Sequence, residues 1–533
     1  MNGSTPSLGR ASGCLLAVLL LWGGVACEKA PDPAAPSVRA PADLLLTASA
    51  ASIDAALAGA TDYANRAMPG SGLSVTGAVE SALQATPGIL RDAQVSLFVL
   101  QRAGGKARLG IILPVKDGKA LAAAAPPHLR VKLRGKWALV AEPETVAQAG
   151  DWALQTLAPA KRTFARNQLA VATVMPDALL SAHREDLMRG LASLRKVTAE
   201  KDSSTSTMDL LTEVATVTFD LLAQCERLEL ELSLGGGDGE LTFALVPRAR
   251  TAIAQFVKAQ APSDFALLTR VPMTGAAGIA GGQVVLGPAA ATVWSWVERI
   301  AAQTSMAGLV PDFRRLTEQT TGDFAFAMSL APTGMEMAGL YGVKSAPTAT
   351  AALQAVADKF RTAGPKTTEI MGIKSRYEMM KDPPPTDGVR LHRLVTTYDY
   401  SGMPQAAATP PGFRPARTEM AWGAWDDVMG AATTSQIDKL VTASRSKGTL
   451  PAAFASFVDA ARARKASALE IIDYGAILPA ITGNVQAGSA PLALWLGFRG
   501  ERATLGLSFP ASSAAAIINA TAAMQAAPPP SSL

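Results

Sequence analysis

The sequence predicts an α+β fold of two related units in tandem, each an antiparallel sheet with packed helices. Three observations carry that prediction. A strand-turn-strand-helix stretch is written twice, the elements ahead of it recur in the same order in both halves, and 533 residues are too many for one ordinary hydrophobic core.

The doubled stretch is the anchor. In its first copy Leu228, Leu230, Leu232 and Leu234 alternate with Arg227, Glu229, Glu231 and Ser233, the period of a strand with one buried and one wet face. The run Gly235 to Gly239 supplies the positive φ values of a tight turn, and Leu241, Phe243 and Leu245 resume the alternation up to Pro247. In its second copy Leu492, Leu494, Leu496 and Phe498 precede a turn at Arg499 to Glu501, then Leu505, Leu507 and Phe509, Pro510, and a helix with Ile517, Ile518 and Met524.

Ahead of each copy stand an entry strand (Asp43 to Leu46; Ser263 to Leu268) and a helix, on Ile53, Leu57, Ala60 and Tyr63 in one half and Val293, Trp294, Val297 and Ile300 in the other. Paired strands follow, Val95 to Gln101 with Leu109 to Val115 and Phe324 to Leu330 with Glu336 to Val343. A helical stretch comes next, then a Trp-bearing strand (Lys136 to Ala141; Glu419 to Trp425), then a short apolar strand (Gln168 to Val171; Ala468 to Ile471). Unequal spacing places an α-hairpin insertion near 183–224, with apolar stripes on Leu187, Leu191, Leu194 and Val197 and on Met208, Leu211, Val214, Val217 and Leu221. A second insertion falls near 365–418, with a strand from Val389 to Tyr398. The expected boundaries are therefore 42–260 for the first unit, 261–527 for the second and 528–533 for a loose tail.

Residues 1–27 have the pattern of an export signal, with Arg10 ahead of a short apolar run from Leu15 to Trp22 that is too short to anchor in a bilayer. The run ends in Gly24-Val25-Ala26-Cys27, which resembles the lipobox of bacterial lipoproteins, although Gly24 stands where leucine is commonest. The resemblance implies acylation of Cys27 and retention on a membrane without a transmembrane helix. Cleavage after Ala26 by an ordinary signal peptidase is the competing reading. Glu28 after the cysteine, by resemblance to lipoprotein sorting, implies the outer membrane, facing the periplasm. Residues 28–41, rich in Pro and Ala, read as an extended tether. The order of elements is similar to that of bacterial envelope proteins of unknown function that repeat a strand-rich module after such a leader.

Composition narrows the chemistry. A net charge of +5 spread over the chain gives no basic patch for nucleic acid. Three Cys and three His, none at metal-ligand spacing, point to no metal and no cofactor. Ser193 to Lys196 and Ser444 to Lys447 both match the SxxK pair of serine hydrolases, with no KTG or SDN partner. The glycines after Leu234 lie between strands rather than at a helix start, so a hairpin outweighs a phosphate loop. Gly70 to Ser74 is half of a GxSxG elbow, His392 reads as part of a solvated strand face beside Arg390, and Cys225 as a buried thiol. An apolar pocket between sheet and helices would draw on Trp422, Trp425, Trp495, Met379 and Met380.

The expectation is a membrane-anchored lipoprotein with a non-catalytic binding or scaffolding role and an envelope protein as partner. The alternative is a carrier or chaperone of a lipid or other apolar ligand, and the third reading is a serine hydrolase of cell-wall material. A scaffold predicts an exposed apolar or charged patch, a carrier a closed cavity, and a hydrolase a serine meeting its lysine in a cleft.

Overall fold

The computed structural model describes residues 38–68, 86–101, 105–160, 162–165, 167–200, 205–303, 307–331, 334–370, 373–401, 415–477 and 491–526. The expected signal peptide, Cys27, most of the tether, Gly70 to Ser74 and the tail at 528–533 lie outside them. Two compact units are formed, one from Met1–Leu187, Leu221–Arg248 and Thr504–Ala515, the other from Met188–Asp220, Ala249–Ala503 and Ala516–Leu533.

The first unit contains β1 (Leu44–Ala50), α1 (Ile53–Ala67), β2 (Val95–Leu100), β3 (Arg108–Pro114) and α2 (Gly118–Ala124). It continues with β4 (Arg130–Arg134), β5 (Trp137–Ala141), α3 (Pro143–Trp152) and β6 (Gln168–Val174). Helices α4 (Pro176–Glu200) and α5 (Thr205–Ala223) follow, with Met188–Asp220 counted in the second unit, and β7 (Cys225–Gly235) turns into β8 (Asp238–Pro247). The strands are antiparallel in the order β4-β5-β3-β2-β1-β6-β7-β8.

The turn after β7 needs its glycines. Gly235 pairs with Asp238, so Gly236 and Gly237 are the two-residue loop, at φ 66° and 91°. One face of this sheet lies under α3, where Phe98 meets Trp152 edge-to-face at 5.5 Å among Leu100, Ile112 and Leu139. On the other face α1 rests on β6 and β7. Ser52 caps α1 by accepting from the Ala55 amide at 3.0 Å, and Ile53, Ala60 and Tyr63 pack on Ala50, Val95 and Ala170. The Tyr63 hydroxyl donates to the Phe509 carbonyl at 2.8 Å, and desolvation by burial, aided by Asp238, pushes its pKa up to about 12.

The second unit runs α6 (Ala252–Ala259), β9 (Ala276–Gln283), α7 (Ala290–Ala301), α8 (Val310–Glu318), β10 (Thr320–Ala331), β11 (Gly334–Val343) and α9 (Ala346–Ala363). Then come β12 (Lys366–Ile370), β13 (Ile373–Met379), β14 (His392–Asp399), β15 (Arg417–Trp425), β16 (Val428–Thr433), α10 (Ile437–Ser444), α11 (Ala452–Ala463), β17 (Ala466–Asp473) and β18 (Pro491–Arg499). Its order is β12-β13-β14-β15-β16-β11-β10-β9-β17-β18, again antiparallel. With the inserted β12 to β14 set aside, that order repeats the first unit's from β4 to β7, strand for strand. The closing strand β19 (Arg502–Ser508) pairs with β8, and its residues from Thr504 onward count with the first unit, as does the start of α12 (Ala511–Ala526).

Two expectations are corrected. Ser263 to Leu268 is not the entry strand of the second unit: Ala266–Arg270 forms a 3-10 turn instead. Ser263 accepts from the Phe265 amide and Asp264 from the Ala266 amide, and Phe265 sits at φ 58°, so local side-chain hydrogen bonds compete with the extended backbone. The entry strand is β9, with the sequence AAGIAGGQ, which carries a single β-branched residue. Its glycines are steric requirements, since a Cβ at Gly281 would meet Leu268 at 2.7 Å and one at Gly282 the Ser467 carbonyl at 2.2 Å. The second concerns the apolar stripes of α4 and α5, where Leu194, read from the sequence as part of a core stripe, is exposed, as are Leu187, Leu211 and Val214.

Candidate functional site

Strand register in the second unit sorts side chains onto two faces. One is a closed core in which Ile279, Ala325, Ala327, Leu340, Val428 and Ile471 are buried along with Leu440 of α10 and Val458 of α11. The other is built differently. Phe324, Met328 and Leu330 of β10 lie opposite Tyr341, Met337 and Met335 of β11, and Phe326 lies opposite Gly339. The Phe326 ring occupies the space above that glycine, where a Cβ would come within 2.3 Å, and stands edge-to-face on Tyr341 at 5.2 Å.

This second face continues through Gly278 and Ala280 of β9 to Ile472 of β17 and Leu492 of β18. Helices α8 and α9 cover only its far side, where Leu316, Ala349 and Leu353 pack on Met429, Trp422 and Ala424. Between these regions Met335, Met337 and Tyr341 keep 43%, 40% and 38% of their surface in water. Three adjoining large apolar residues on one strand at that exposure form a patch, unlike the scattered single exposures of an ordinary surface.

The residues proposed for a pocket divide between the faces. Trp425 is buried in the closed core, with its ring over Gly430 and its indole N–H donated to Ser444 Oγ at 2.8 Å. Trp495 packs on the same core from partial burial, under the Arg464 guanidinium at 5.6 Å. Trp422 and Met379 belong to the open face, joined in register through Leu394 and Met420. Met380 follows the end of β13, its amide bonded to the Arg393 carbonyl. An open concavity of about 420 Å³ beside α9 is lined by Leu309, Ala355, Asp358, Lys359, Phe360 and Lys366 among others, and none of the five proposed residues borders it.

Neither SxxK pair forms a catalytic arrangement. Ser444 is buried and donates its hydroxyl to the Val441 carbonyl at 2.7 Å while accepting from Trp425, and Lys447 lies exposed in the turn beyond. Ser193 donates to the Arg189 carbonyl at 2.9 Å on an exposed helix face. Cys225 is buried and its Sγ donates to the Leu221 carbonyl at 3.1 Å; desolvation pushes the thiol up to about 11, against the smaller opposing effect of Arg248.

His392 departs from the expected solvated strand face, being 1% exposed. Its Nδ1 lies 3.1 Å from Asp382 Oδ1, and Asp382 also takes ion pairs from Arg361 of α9 and from Arg390. Burial alone would raise the Asp382 pKa; the hydrogen bond and charge of His392, with Arg361 and Arg390, outweigh it and hold the carboxyl below its usual range. The ring of His392 is 6.2 Å from that of Trp422. Sequence reading missed this cluster because its members are 10 and 21 residues apart and no spacing rule joins them. The one available signal was Pro383-Pro384-Pro385, which fixes the loop between Asp382 and β14.

Among the described residues no group of His, Cys, Asp or Glu is arranged to hold a metal ion, and no helix is long and apolar enough to cross a membrane. No family model and no curated protein matches the chain. About half of it is structurally similar to TP0453, a membrane-associated protein of Treponema pallidum. Crystal form IV of TP0453 aligns at 12% identity over 49% of this chain and 98% of that one, with a TM-score of 0.23. Crystal form III aligns at 13% identity over the same shares, with a TM-score of 0.22.

Proposed function

We propose that the protein is a non-catalytic binding module of the cell envelope, held at the periplasmic side of the outer membrane by a lipid on Cys27, and that the open sheet face of the second unit is the surface it presents to an envelope protein. The chain on this reading is an internal duplication, supported by the strand order common to both units, and its second copy has been turned to binding. The observation that carries the reading is the exposure of Met335, Met337 and Tyr341 beside Phe324, Phe326 and Met328. A strand rarely retains such residues in water unless they are covered part of the time. Methionine suits the task, because its unbranched side chain repacks against varied surfaces.

A lipid or other apolar ligand is the second reading. It is favoured by Trp422 and Met379 sharing that face with Met337. A serine hydrolase receives no support from Ser444, whose hydroxyl is engaged within its own helix and by Trp425.

Covering the remaining area of each exposed side chain would contribute roughly 1 kcal/mol, so one substitution weakens binding only about fivefold while three together exceed a hundredfold. The test is therefore the triple replacement Met335→Ser, Met337→Ser and Tyr341→Ser in the full chain, followed by mild formaldehyde cross-linking in cells. The folded variant is expected to lose the envelope protein that co-isolates with the wild type. An unchanged set of cross-linked proteins overturns the reading.

A further inference from the structure

We infer that the β4–β5 edge of the first unit docks on an anionic phospholipid surface, a contact that goes beyond the binding role proposed for the second unit and is made by different residues. Positive charge is concentrated here. Between Lys106 and Lys136 stand eight Lys or Arg and a single acid, Asp117, so this segment carries +7 where all 533 residues together carry +5. Arg108 of β3 is paired with Glu144, and Lys132 of β4 with Asp151 at 2.9 Å. Lys116, Lys119, Arg134 and Lys136 are exposed, and among the described residues none of the four lies within ion-pair distance of a carboxylate. Arg134 adds only a longer-range attraction to Asp151.

The fold gathers these four cations at one tip. Gly135 and Lys136 form the two-residue turn between β4 and β5, with Gly135 at φ 56°. The Lys136 carbonyl accepts from the Val115 amide at 2.9 Å, which sets Lys116 beside the turn. Helix α2 begins against Leu133: a Cβ at Gly118 would come within 2.7 Å of that side chain, so the glycine brings Lys119 to the same tip. Asp117 accepts from the amides of Lys119 and Ala120, both at 3.0 Å. Among the cations Leu133 keeps 43% of its surface in water, and Lys136 Nζ lies 5.8 Å from the ring of the half-buried Trp137. Edge strands carry lysine to repel other strands, but Lys116 and Lys119 lie off the strand, and guarding an edge calls for no exposed leucine. Cations around an apolar side chain, with an aromatic ring beside them, fit a bilayer surface, where phosphates meet the charges and the leucine enters the boundary of headgroups and acyl chains. An acidic protein would answer the charges alone.

The experiment floats the chain from Glu28 to Leu533, without an acyl group, on vesicles of pure phosphatidylcholine or of phosphatidylcholine and phosphatidylglycerol in roughly two-to-one ratio. Binding is expected to the mixed vesicles only, and to weaken as salt is raised. Each Lys or Arg at an anionic surface is worth about fivefold in binding, so replacing Lys116, Lys119, Arg134 and Lys136 by Gln is expected to weaken it more than about a hundredfold. Replacing Lys374, Lys381, Lys439 and Lys447 by Gln, four exposed cations of the second unit, gives the same net charge and is expected to change binding by no more than about threefold. A polarity-sensitive fluorophore on Leu133→Cys, with Cys225 buried from the reagent, is expected to shift to shorter wavelength on the mixed vesicles. Equal binding to both vesicles, binding to neither, equal loss in the two quadruple variants or an unshifted fluorophore each overturns the inference. Capture of the chain by immobilised polyglutamate without flotation assigns the cations to an acidic protein and overturns the lipid. The triple serine variant of the second unit keeps all four cations, so the two readings fail separately.

Discussion

Asp382 joins α9 through Arg361 to β14 through His392. Its carboxyl is held below the ordinary range in the folded state, so its contribution to stability is present above the unfolded carboxylate value and disappears as pH falls through the lower folded one. Asp382→Asn is expected to lower unfolding free energy by roughly 1–2 kcal/mol near neutral pH. The gap should close below about pH 4, where the wild-type carboxyl is protonated in the unfolded chain and increasingly in the folded one. Urea titrations at several pH values measure this, and a gap independent of pH would assign the loss to shape alone. Individual residues were the least legible part of the sequence. Trp422 and Trp425 look alike on the page, yet the odd spacing between them sends one to each face of β15, and only the partner strands decide which face is closed. Likewise His392 reads as solvated because its neighbour Arg390 is exposed, whereas the chain buries it against a carboxylate ten residues away.

Elements were legible wherever period and turn chemistry agreed. The β7–β8 hairpin follows from leucines at every second position and a glycine run, and its loop falls on Gly236 and Gly237. Gly237→Val is expected to cost roughly 1–3 kcal/mol, because a β-branched residue at φ 91° is strained and its Cβ approaches Arg66 at 3.3 Å. A fall in thermal midpoint of the folded protein registers it, and an unchanged midpoint would show that the turn relaxes. Strand β9 escaped detection for the opposite reason. It sits between β10 and β17 with both edges paired and small residues where its neighbours crowd, and such a strand shows neither alternation nor β-branched enrichment. Helices α4 and α5 were found by their stripes, but sequence periodicity reports that a face is apolar without reporting what covers it, as the exposed Leu194 and Leu211 illustrate.

For the whole molecule, the repeated order of elements was readable because the same grammar is written twice, while the segments that break the repeat were readable only as unequal spacing. On the proposed reading, location depends on a lipid at Cys27. Cys27→Ser is expected to move the protein from the membrane to the soluble fraction and to abolish labelling by a fatty-acid analogue; retention of the variant on membranes would overturn the anchor. The pairing of β8 with β19 has a further effect, on the order in which the chain can mature. During synthesis at roughly 5–20 residues per second, β8 emerges tens of seconds before the strand that covers its edge. Through that interval the first unit carries a bare row of amide and carbonyl groups, and its last contacts join segments far apart in the sequence. A chain truncated before β19 would therefore present an adhesive edge, so the closing strand protects the first unit as well as extending its sheet.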